Sequence, residues 1–223
     1  MLKENLDKVF DEIRFGNNLG EPITVVGAGK YVDIDTLKRA VELGLKDIGD
    51  NKVQEFRDKT SALSGVNFHF IGRLQKNKVK YLIGKVKLIQ SIDSIALAEE
   101  VAKQSVKNNL VTDILIEVNV GVEDSKAGFY LDNVLDAVKT ISKLNGVRVM
   151  GLMAMLPYTD DNELLSKLCL QTRSVYDIII KEGYPLTYLS MGMSSDYKIA
   201  IKNGSNMIRL GTCLFGERDY SKN

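Results

Sequence analysis

The sequence predicts an α/β protein built as a single (β/α)8 TIM-type barrel with an extra N-terminal helix. Short apolar strands alternate with helices along all 223 residues, and strict alternation is typical of parallel βα units. Eight such units favour a closed barrel, with a doubly wound open sheet as the alternative. The composition does not change along the chain, so we expect one domain over residues 1–223.

The elements follow from hydrophobic spacing and from the residues that begin and end helices. The opening helix is predicted over residues 3–16, where apolar side chains recur at helical spacing. Asp33 or Asp35 can cap the second helix, and Gly44 stops it. The strands are predicted at residues 23–30, 47–50, 67–72, 88–92, 113–120, 147–154, 188–192 and 207–211. The helices between them are predicted at about 33–43, 51–63, 77–82, 94–106, 131–144, 162–182 and 196–202.

Lys30 stands at the carboxyl end of the first strand, whose sequence is I-T-V-V-G-A-G-K. Side chains alternate across a strand, so Lys30 shares a face with Thr24, Val26 and Ala28. The carboxyl ends of parallel strands are where α/β folds bind ligands. Lys30 therefore has three interpretations: a solvated strand end, a phosphate contact, or a nucleophile that forms a Schiff base.

The same alternation places further polar side chains inside the predicted barrel. On the fifth strand Glu117 and Asn119 lie opposite an apolar face, and on the eighth strand Arg209 does the same. Together with Lys30, these side chains would point into a closed interior, where polar groups are costly unless they are paired. A bound polar ligand explains them better than a structural network of side chains.

Two loops rich in small and hydroxyl residues follow the seventh and eighth strands. The first contains Ser190 and Ser194, and the second contains Gly211 and Thr212. Small residues let backbone N–H groups approach a phosphate, and the corresponding loops of other barrels often hold one. Together with Lys30 on the neighbouring first strand, the loops indicate a ligand with a phosphate and an aldehyde. Pyridoxal 5′-phosphate (PLP) carries both.

Charge and composition argue against several other classes of function. Thirty basic and 29 acidic residues give a net charge of +1, which lacks the basic footprint of a nucleic-acid-binding protein. The run at 73–87 holds six basic residues and no acidic one. We interpret it as a solvated helix face, with a patch for an anionic partner as the alternative. Without a long apolar run or an apolar N-terminal segment, we expect no membrane span, no signal peptide and a cytoplasmic protein.

The remaining motifs do not match other known sites. His69 is the single histidine, and with two distant cysteines it forms no zinc pattern. We interpret His69 as a half-buried strand residue, and Cys169 and Cys213 as buried apolar residues without a disulfide. The glycines at 27–29 lack the third glycine of a dinucleotide fingerprint, and Tyr31 replaces the hydroxyl residue of a P-loop.

A series of motifs in fixed order resembles one known family, the pyridoxal phosphate homeostasis proteins, which are single-domain relatives of the alanine racemase barrel. The resemblance covers nearly the whole chain. Its motifs are K-Y-V at 30–32, G-D-N at 49–51 with V-Q-E at 53–55, H-F-I-G-R-L-Q-K-N-K at 69–78, E-V-N-V at 117–120, S-K-A-G-F at 125–129, G-L-M-A-M at 151–155, L-S-M-G-M-S at 189–194, M-I-R-L-G-T at 207–212 and F-G-E-R-D-Y at 215–220.

The resemblance implies a cofactor site with defined roles. Lys30 would hold PLP as a Schiff base, Asn51 would lie beside the cofactor, and Arg209 would face the pyridine nitrogen. A guanidinium stays protonated, so the ring nitrogen that it contacts would stay unprotonated and the ring would be a weaker electron sink. The phosphate would be held by Ser190, Gly211 and Thr212, with Ser194 as a further candidate.

The resemblance also implies a function, which is intracellular PLP homeostasis: reversible binding, buffering or delivery of PLP, with effects on amino-acid and keto-acid balance. PLP-dependent apo-enzymes are the implied partners, and a monomer is expected. The alternative is a PLP-dependent amino-acid racemase, which needs acid/base groups on both faces of the substrate. Two positions depart from the family pattern, because Gly29 replaces a serine or threonine and Asp50 replaces a glutamate.

Overall fold

Eight parallel strands close into a barrel, and a short ninth strand lies beside one of them. The computed structural model describes residues 1–121 and 127–217 of the chain. The strands are β1 (Thr24–Ala28), β2 (Asp47–Asp50), β3 (Asn67–Phe70), β4 (Leu88–Ile92), β5 (Thr112–Asn119), β6 (Phe129–Tyr130), β7 (Val147–Ala154), β8 (Tyr188–Ser190) and β9 (Met207–Leu210). The ring runs β1-β2-β3-β4-β5-β7-β8-β9, and pairing of β9 with β1 closes it. The closed barrel predicted from the sequence is confirmed, and the open doubly wound sheet is excluded.

Helices surround the barrel, and an additional helix precedes the first strand as predicted. They are α1 (Leu2–Ile13), α2 (Ile34–Glu42), α3 (Val53–Ala62), α4 (Ile95–Lys107), α5 (Val134–Ile141), α6 (Asn162–Lys181), α7 (Tyr197–Lys202) and α8 (Thr212–Phe215). The extra helix α1 contacts α8, where the Asn5 side chain donates to the carbonyl oxygen of Leu214 at 3.0 Å. Asp33 caps α2 as expected, since its carboxylate accepts the N–H of Thr36 at 2.8 Å.

Apolar side chains pack in two layers, one on each side of the strands. The larger layer fills the space between strands and helices, and it includes Val25 of β1 and Ile114 of β5. The smaller layer lies inside the barrel and consists of Val26, Leu88, Leu115, Met153 and Met207. The alternation of inward and outward residues on β1 and β5 therefore agrees with the sequence prediction.

Four local features differ from the predicted elements. Strand β1 ends at Ala28, so Lys30 lies in the following turn and not on the strand. The turn arises because Tyr31 adopts a left-handed backbone conformation (φ 63°), which a strand cannot accommodate. The helix predicted at residues 77–82 is instead the 3₁₀ segment Lys76–Tyr81. The short elements β6 and α8 have no hydrophobic period from which to predict them.

Within the described residues, every helix is too short or too polar to cross a lipid bilayer.

Gly151 sits where β7 shifts register against β5, and a larger residue cannot occupy this position. A Cβ at Gly151 would overlap the carbonyl oxygen of Tyr188 on the adjacent strand β8. We expect Gly151→Ala to lower the free energy of unfolding by about 2 kcal/mol or more. Urea titration followed by circular dichroism measures this change.

The matched control on the same strand is Arg148→Ala. Arg148 is exposed and pairs with Asp113 at 2.7 Å, and such a surface pair contributes about 1 kcal/mol or less. Equal losses for Gly151→Ala and Arg148→Ala would contradict the close packing at Gly151.

Candidate functional site

A cavity of about 600 Å³ opens at the carboxyl end of the barrel. It lies beside the ends of β1, β8 and β9, where ligands of α/β folds bind. Six of the seven cofactor-binding residues predicted from the sequence line it: Lys30, Asn51, Ser194, Arg209, Gly211 and Thr212. The fold thus brings together residues that are up to 182 positions apart in the chain (212 − 30).

Lys30 reaches this cavity from the turn after β1. Its ammonium group lies 4.8 Å from the ring centroid of Tyr31, and Lys52 approaches the same ring at 5.0 Å. No ion pair joins Lys30 to a carboxylate in the part of the chain that the structure describes. The amine is therefore available to a ligand in the cavity.

Ser194 and the start of α8 line the same cavity and are joined by hydrogen bonds. The hydroxyl oxygen of Ser194 accepts the backbone N–H of Gly211 at 3.1 Å and that of Cys213 at 3.3 Å. Thr212 is exposed at this point. The hydroxyl protons of Ser194 and Thr212 can be donated to a phosphate, and the two N–H groups hold Ser194 in position for this.

The loop that carries Ser194 is anchored by a buried carboxylate that the sequence did not reveal. Asp196 accepts the N–H of Met193 at 2.6 Å and is only 5% exposed. Burial raises the pKa of Asp196, while the hydrogen bond from Met193 and the charge of Arg209 oppose that change. Asp196 thus fixes the backbone on which Ser194 is presented.

Ser190, the seventh predicted residue, lies beneath the cavity and is fully buried. Its hydroxyl accepts a hydrogen bond from Arg209 Nη1 at 2.6 Å and donates to Gln90 Oε1 at 2.7 Å. These two contacts direct the side chain of Ser190 into the barrel interior. Strand β8 ends at Ser190, and the cavity begins beyond it.

A chain of hydrogen bonds crosses the barrel from Arg209 to Asp47. It continues from Ser190 to Gln90, whose amide nitrogen contacts His69 Nδ1 at 2.9 Å. His69 Nε2 contacts Asp47 at 3.0 Å. Because Gln90 donates to Nδ1, the hydrogen-bond pattern assigns the proton of His69 to Nε2.

This chain corrects two expectations from the sequence. His69 is only 2% exposed and was expected to be half-buried. Arg209 was expected to need a ligand as its partner, yet its guanidinium already donates to Ser190 and to the carbonyl oxygen of Ala154 at 2.9 Å. The reason is that polar residues on strands distant in sequence meet inside the closed ring, and the sequence does not show these pairs.

Arg209 brings a buried positive charge to the lining of the cavity. Burial lowers the pKa of its guanidinium to about 10, while Asp196 and Glu117 oppose that change. Arg209 is thus protonated at neutral pH and presents a fixed donor to the cavity that it lines.

Glu117 of β5 points into the barrel between charged neighbours. Burial and the negative charge of Asp93 raise the pKa of Glu117 to about 7, against the opposing charges of Arg209 and Arg73. Glu117 is therefore a carboxyl group that titrates near neutral pH inside the barrel. Its inward position was predicted from the alternation of side chains along the strand, but its raised pKa was not.

Lys59 of α3 is a buried residue that supports the turn at Lys30. Its ammonium donates to the carbonyl oxygen of Gly29 at 2.7 Å and to Asp50 Oδ1 at 2.5 Å. It also contacts Glu55 at 3.4 Å, and Glu55 in turn accepts the N–H of Tyr31 at 3.4 Å. Lys59 therefore ties together the backbone on both sides of Lys30.

The two departures from the family pattern meet in this ion cluster. A Cβ at Gly29 would lie 3.3 Å from Lys59 Nζ and 3.4 Å from Asp50 Oδ1. Gly29 thus leaves room for the Lys59–Asp50 pair, and the shorter carboxylate of Asp50 fits it. Burial raises the pKa of Asp50, while Lys59 opposes that change. The sequence showed each departure separately but not their contact.

Asn51 follows Asp50 at the end of β2 and is exposed at the rim of the cavity. Its backbone position is set by Gly72, where a Cβ would overlap the carbonyl oxygen of Asn51. Gly72 therefore allows the loop after β3 to pack closely against Asn51.

Removal of Lys59 leaves the Asp50 carboxylate buried without its charge partner. We expect Lys59→Met to lower the free energy of unfolding by about 3–5 kcal/mol, because an unpaired buried charge is strongly destabilising. The double variant Asp50→Leu/Lys59→Met should recover most of this loss. Urea titration measures all three proteins.

The exposed Lys52→Met substitution, just before the same helix, is the control. Lys52 contacts Glu55 only at 3.8 Å, so its loss should cost less than about 1 kcal/mol. A Lys59→Met protein as stable as the Lys52→Met protein would contradict a supporting role for Lys59.

The raised pKa of Glu117 predicts a pH-dependent stability. The folded state holds the proton more tightly than the unfolded state, whose carboxyl has the ordinary pKa of 4.5. The stabilising contribution is thus complete below about pH 4.5 and is lost as the pH rises through about 7. Glu117→Gln does not titrate, so its stability relative to the natural protein should rise across this interval and level off above it. A pH-independent difference between the two unfolding free energies would contradict the prediction.

Comparisons with known proteins identify the family of the chain. Residues 18–219 match the family described as alanine racemase, N-terminal domain. A pyridoxal phosphate homeostasis protein of Aquifex aeolicus is 42% identical over 97% of this chain and 95% of its own length. That of Escherichia coli is 32% identical over 99% of this chain and 98% of its own length.

Solved structures agree with this assignment. PipY of Synechococcus elongatus, whose structure has PLP bound, is 26% identical over 97% of this chain and 100% of its own, with a TM-score of 0.85. Alanine racemase of Clostridium difficile is 14% identical over 99% of this chain and 57% of its own, with a TM-score of 0.84, and shares the fold. The chain therefore belongs to the pyridoxal phosphate homeostasis proteins, a family whose barrel is that of the alanine racemase N-terminal domain.

Proposed function

We propose that this protein binds PLP reversibly and takes part in intracellular PLP homeostasis by buffering or delivering the cofactor. The observation that carries the proposal is one cavity that brings the amine of Lys30 together with the donors around Ser194 and the guanidinium of Arg209. An aldehyde, a phosphate and a pyridine nitrogen are the three groups of PLP that match them. The relatives named for PLP homeostasis and the PLP-bound structure of PipY support the same ligand.

The residues present fit PLP in size and chemistry. The cavity of about 600 Å³ is within the usual range of small-molecule sites. Bound PLP supplies an aldehyde that reacts reversibly with an amine. Lys30 is the amine in this cavity, and Lys59 orients it by holding Gly29 and, through Glu55, Tyr31.

The part of the cavity around Ser194 is assigned to the phosphate. Ser194, Gly211 and Thr212 would bind it, with the Ser194 and Thr212 hydroxyls as donors and Gly211 beside them. Ser190 would act through Arg209, because its hydroxyl and carbonyl oxygens hold the guanidinium in place. Arg209 would face the pyridine nitrogen and keep it unprotonated, and Asn51 would lie beside the ring.

A binding role is favoured over catalysis. The curated relatives are named homeostasis proteins and not enzymes. The likeness to alanine racemase is confined to the fold at 14% identity. Arg209 weakens the ring as an electron sink, which disfavours reactions that require a stabilised carbanion.

We further propose that the protein acts as a monomer in the cytoplasm and that PLP-dependent apo-enzymes receive its cofactor. Both cysteines, Cys169 and Cys213, are free thiols, and free thiols are typical of a reducing compartment. The rim of the cavity carries exposed residues, Asn51 and Thr212 among them, so the bound cofactor would be reachable by a partner.

Attachment of PLP to Lys30 is tested by visible absorbance, borohydride reduction and peptide mass spectrometry. We expect a visible absorbance band after addition of PLP, and a pyridoxyl adduct on the peptide that contains Lys30. Lys30→Ala should lose both the band and the adduct, because Lys30 is the lysine that lines this cavity among the described residues.

Lys52→Ala is the matched control, because Lys52 is exposed and contacts the same Tyr31 ring as Lys30. It should keep the band and the adduct. A protein that stays colourless with PLP, or an adduct that forms equally in the Lys30→Ala variant, would overturn the proposed function.

A further inference from the structure

A second cavity, of about 1050 Å³, lies beside the proposed cofactor site at the same end of the barrel. It is bounded by the segments that follow β2, β3 and β4 and by Ala127 and Gly128. Asn51 lines both this cavity and the first one. We refer to it as the basic cavity, because its lining includes Lys52, Arg57, Arg73, Lys76 and Lys78.

The five cations come from separate segments that the fold brings together. Lys52 immediately precedes α3, Arg57 lies in the middle of that helix, and Arg73 lies in the loop after β3. Lys76 and Lys78 belong to the 3₁₀ segment Lys76–Tyr81. Their convergence on one concave surface is a property of the tertiary structure and not of a single charged helix face.

Within the described residues four of these cations form no salt bridge: Arg57, Arg73, Lys76 and Lys78. The carboxylate on which one of them, Arg73, acts by its charge is Glu117. The carboxylate nearest to Lys52 among its described ion pairs is Glu55, at 3.8 Å. Asp93 brings the single carboxylate among the described lining residues, and it accepts a hydrogen bond from Ser94 at 3.0 Å. Several positive charges therefore share one cavity with little compensation, which raises the local concentration of anions.

The basic run at 73–87 is thus more than a solvated helix face. Arg73, Lys76 and Lys78 line the basic cavity, whereas Lys87 lines a pocket at the amino end of the barrel beside Asp113. The alternative that the sequence left open, an anionic partner, is supported for the first half of the run.

An apolar and aromatic wall accompanies the charges. Leu74 and Leu97 line the cavity, and the ring of Tyr81 lies beneath the guanidinium of Arg57 at 5.0 Å and the ammonium of Lys78 at 6.0 Å. Such a surface can contact the organic part of a ligand while the cations bind its phosphates.

We propose that the basic cavity is a binding site for a phosphorylated small molecule that carries two or more phosphate charges. A concave site of this volume suits a small molecule better than the flat surface of a protein partner. The ligand would lie against Asn51, next to the proposed cofactor site. The proposal stands on the basic cavity alone and does not depend on PLP binding.

The test is calorimetric titration of the full chain with inorganic pyrophosphate at an ionic strength of about 0.15 M, where non-specific surface attraction is screened. We expect saturable binding of one pyrophosphate per chain. Arg73→Gln/Lys76→Gln should weaken it by about tenfold or more, because charge-assisted hydrogen bonds to phosphate are lost. Both residues are exposed, so the variant should fold normally.

Two further variants make the result specific. Lys85→Gln/Lys87→Gln removes the same charge from the same run outside the basic cavity and should change the affinity less than about twofold. Ser194→Ala distinguishes the two cavities: pyrophosphate held in the cofactor cavity would be lost with this substitution, and pyrophosphate held in the basic cavity would be retained.

Three outcomes would overturn the proposal. They are equal weakening by the two double variants, loss of binding in Ser194→Ala, and no saturable binding of pyrophosphate. If the third outcome is accompanied by binding of poly-glutamate, the cavity is assigned to an acidic protein partner instead.

Discussion

Charged and polar groups inside a closed barrel must find partners there, because water cannot reach them. This barrel satisfies that requirement with a chain of hydrogen bonds that begins at Arg209 and ends at Asp47. Because the chain holds the guanidinium from below, Arg209 faces the cavity as a positioned donor. The geometry of the candidate site thus depends on a buried network whose other members never touch the cavity.

A second buried cluster performs a similar task at the opposite wall. Lys59 compensates Asp50 and at the same time holds the carbonyl oxygen of Gly29. The turn that carries Lys30 is therefore held by the Lys59 ammonium, and Asp50 compensates the charge of that ammonium. Gly29 and Asp50 are the two departures from the family pattern. Gly29 leaves room for the Lys59 ammonium, and Asp50 supplies the negative charge that pairs with it.

The rim of the barrel carries two adjacent cavities with different chemistry. The first combines one available amine with N–H and hydroxyl donors, which suits a ligand that is attached covalently at one end and held by its phosphate at the other. The second has several cations with little compensation and an aromatic wall. Asn51 stands between them, and the close packing of Gly72 against its backbone keeps it there.

The sequence by itself determined the alternation of strands and helices, the closed barrel, and five residues of the cavity, because hydrophobic period and loop composition are local properties. The sixth, Asn51, came from the resemblance to the family. It also indicated which faces of β5 and β9 would be polar. Only the tertiary structure decided which of those polar groups pair with one another, that Ser190 is buried beneath the cavity, and that Lys59 supports the turn at Lys30. Those outcomes depend on contacts between residues far apart in the chain, and closure of the ring of strands is what brings such residues within hydrogen-bond distance.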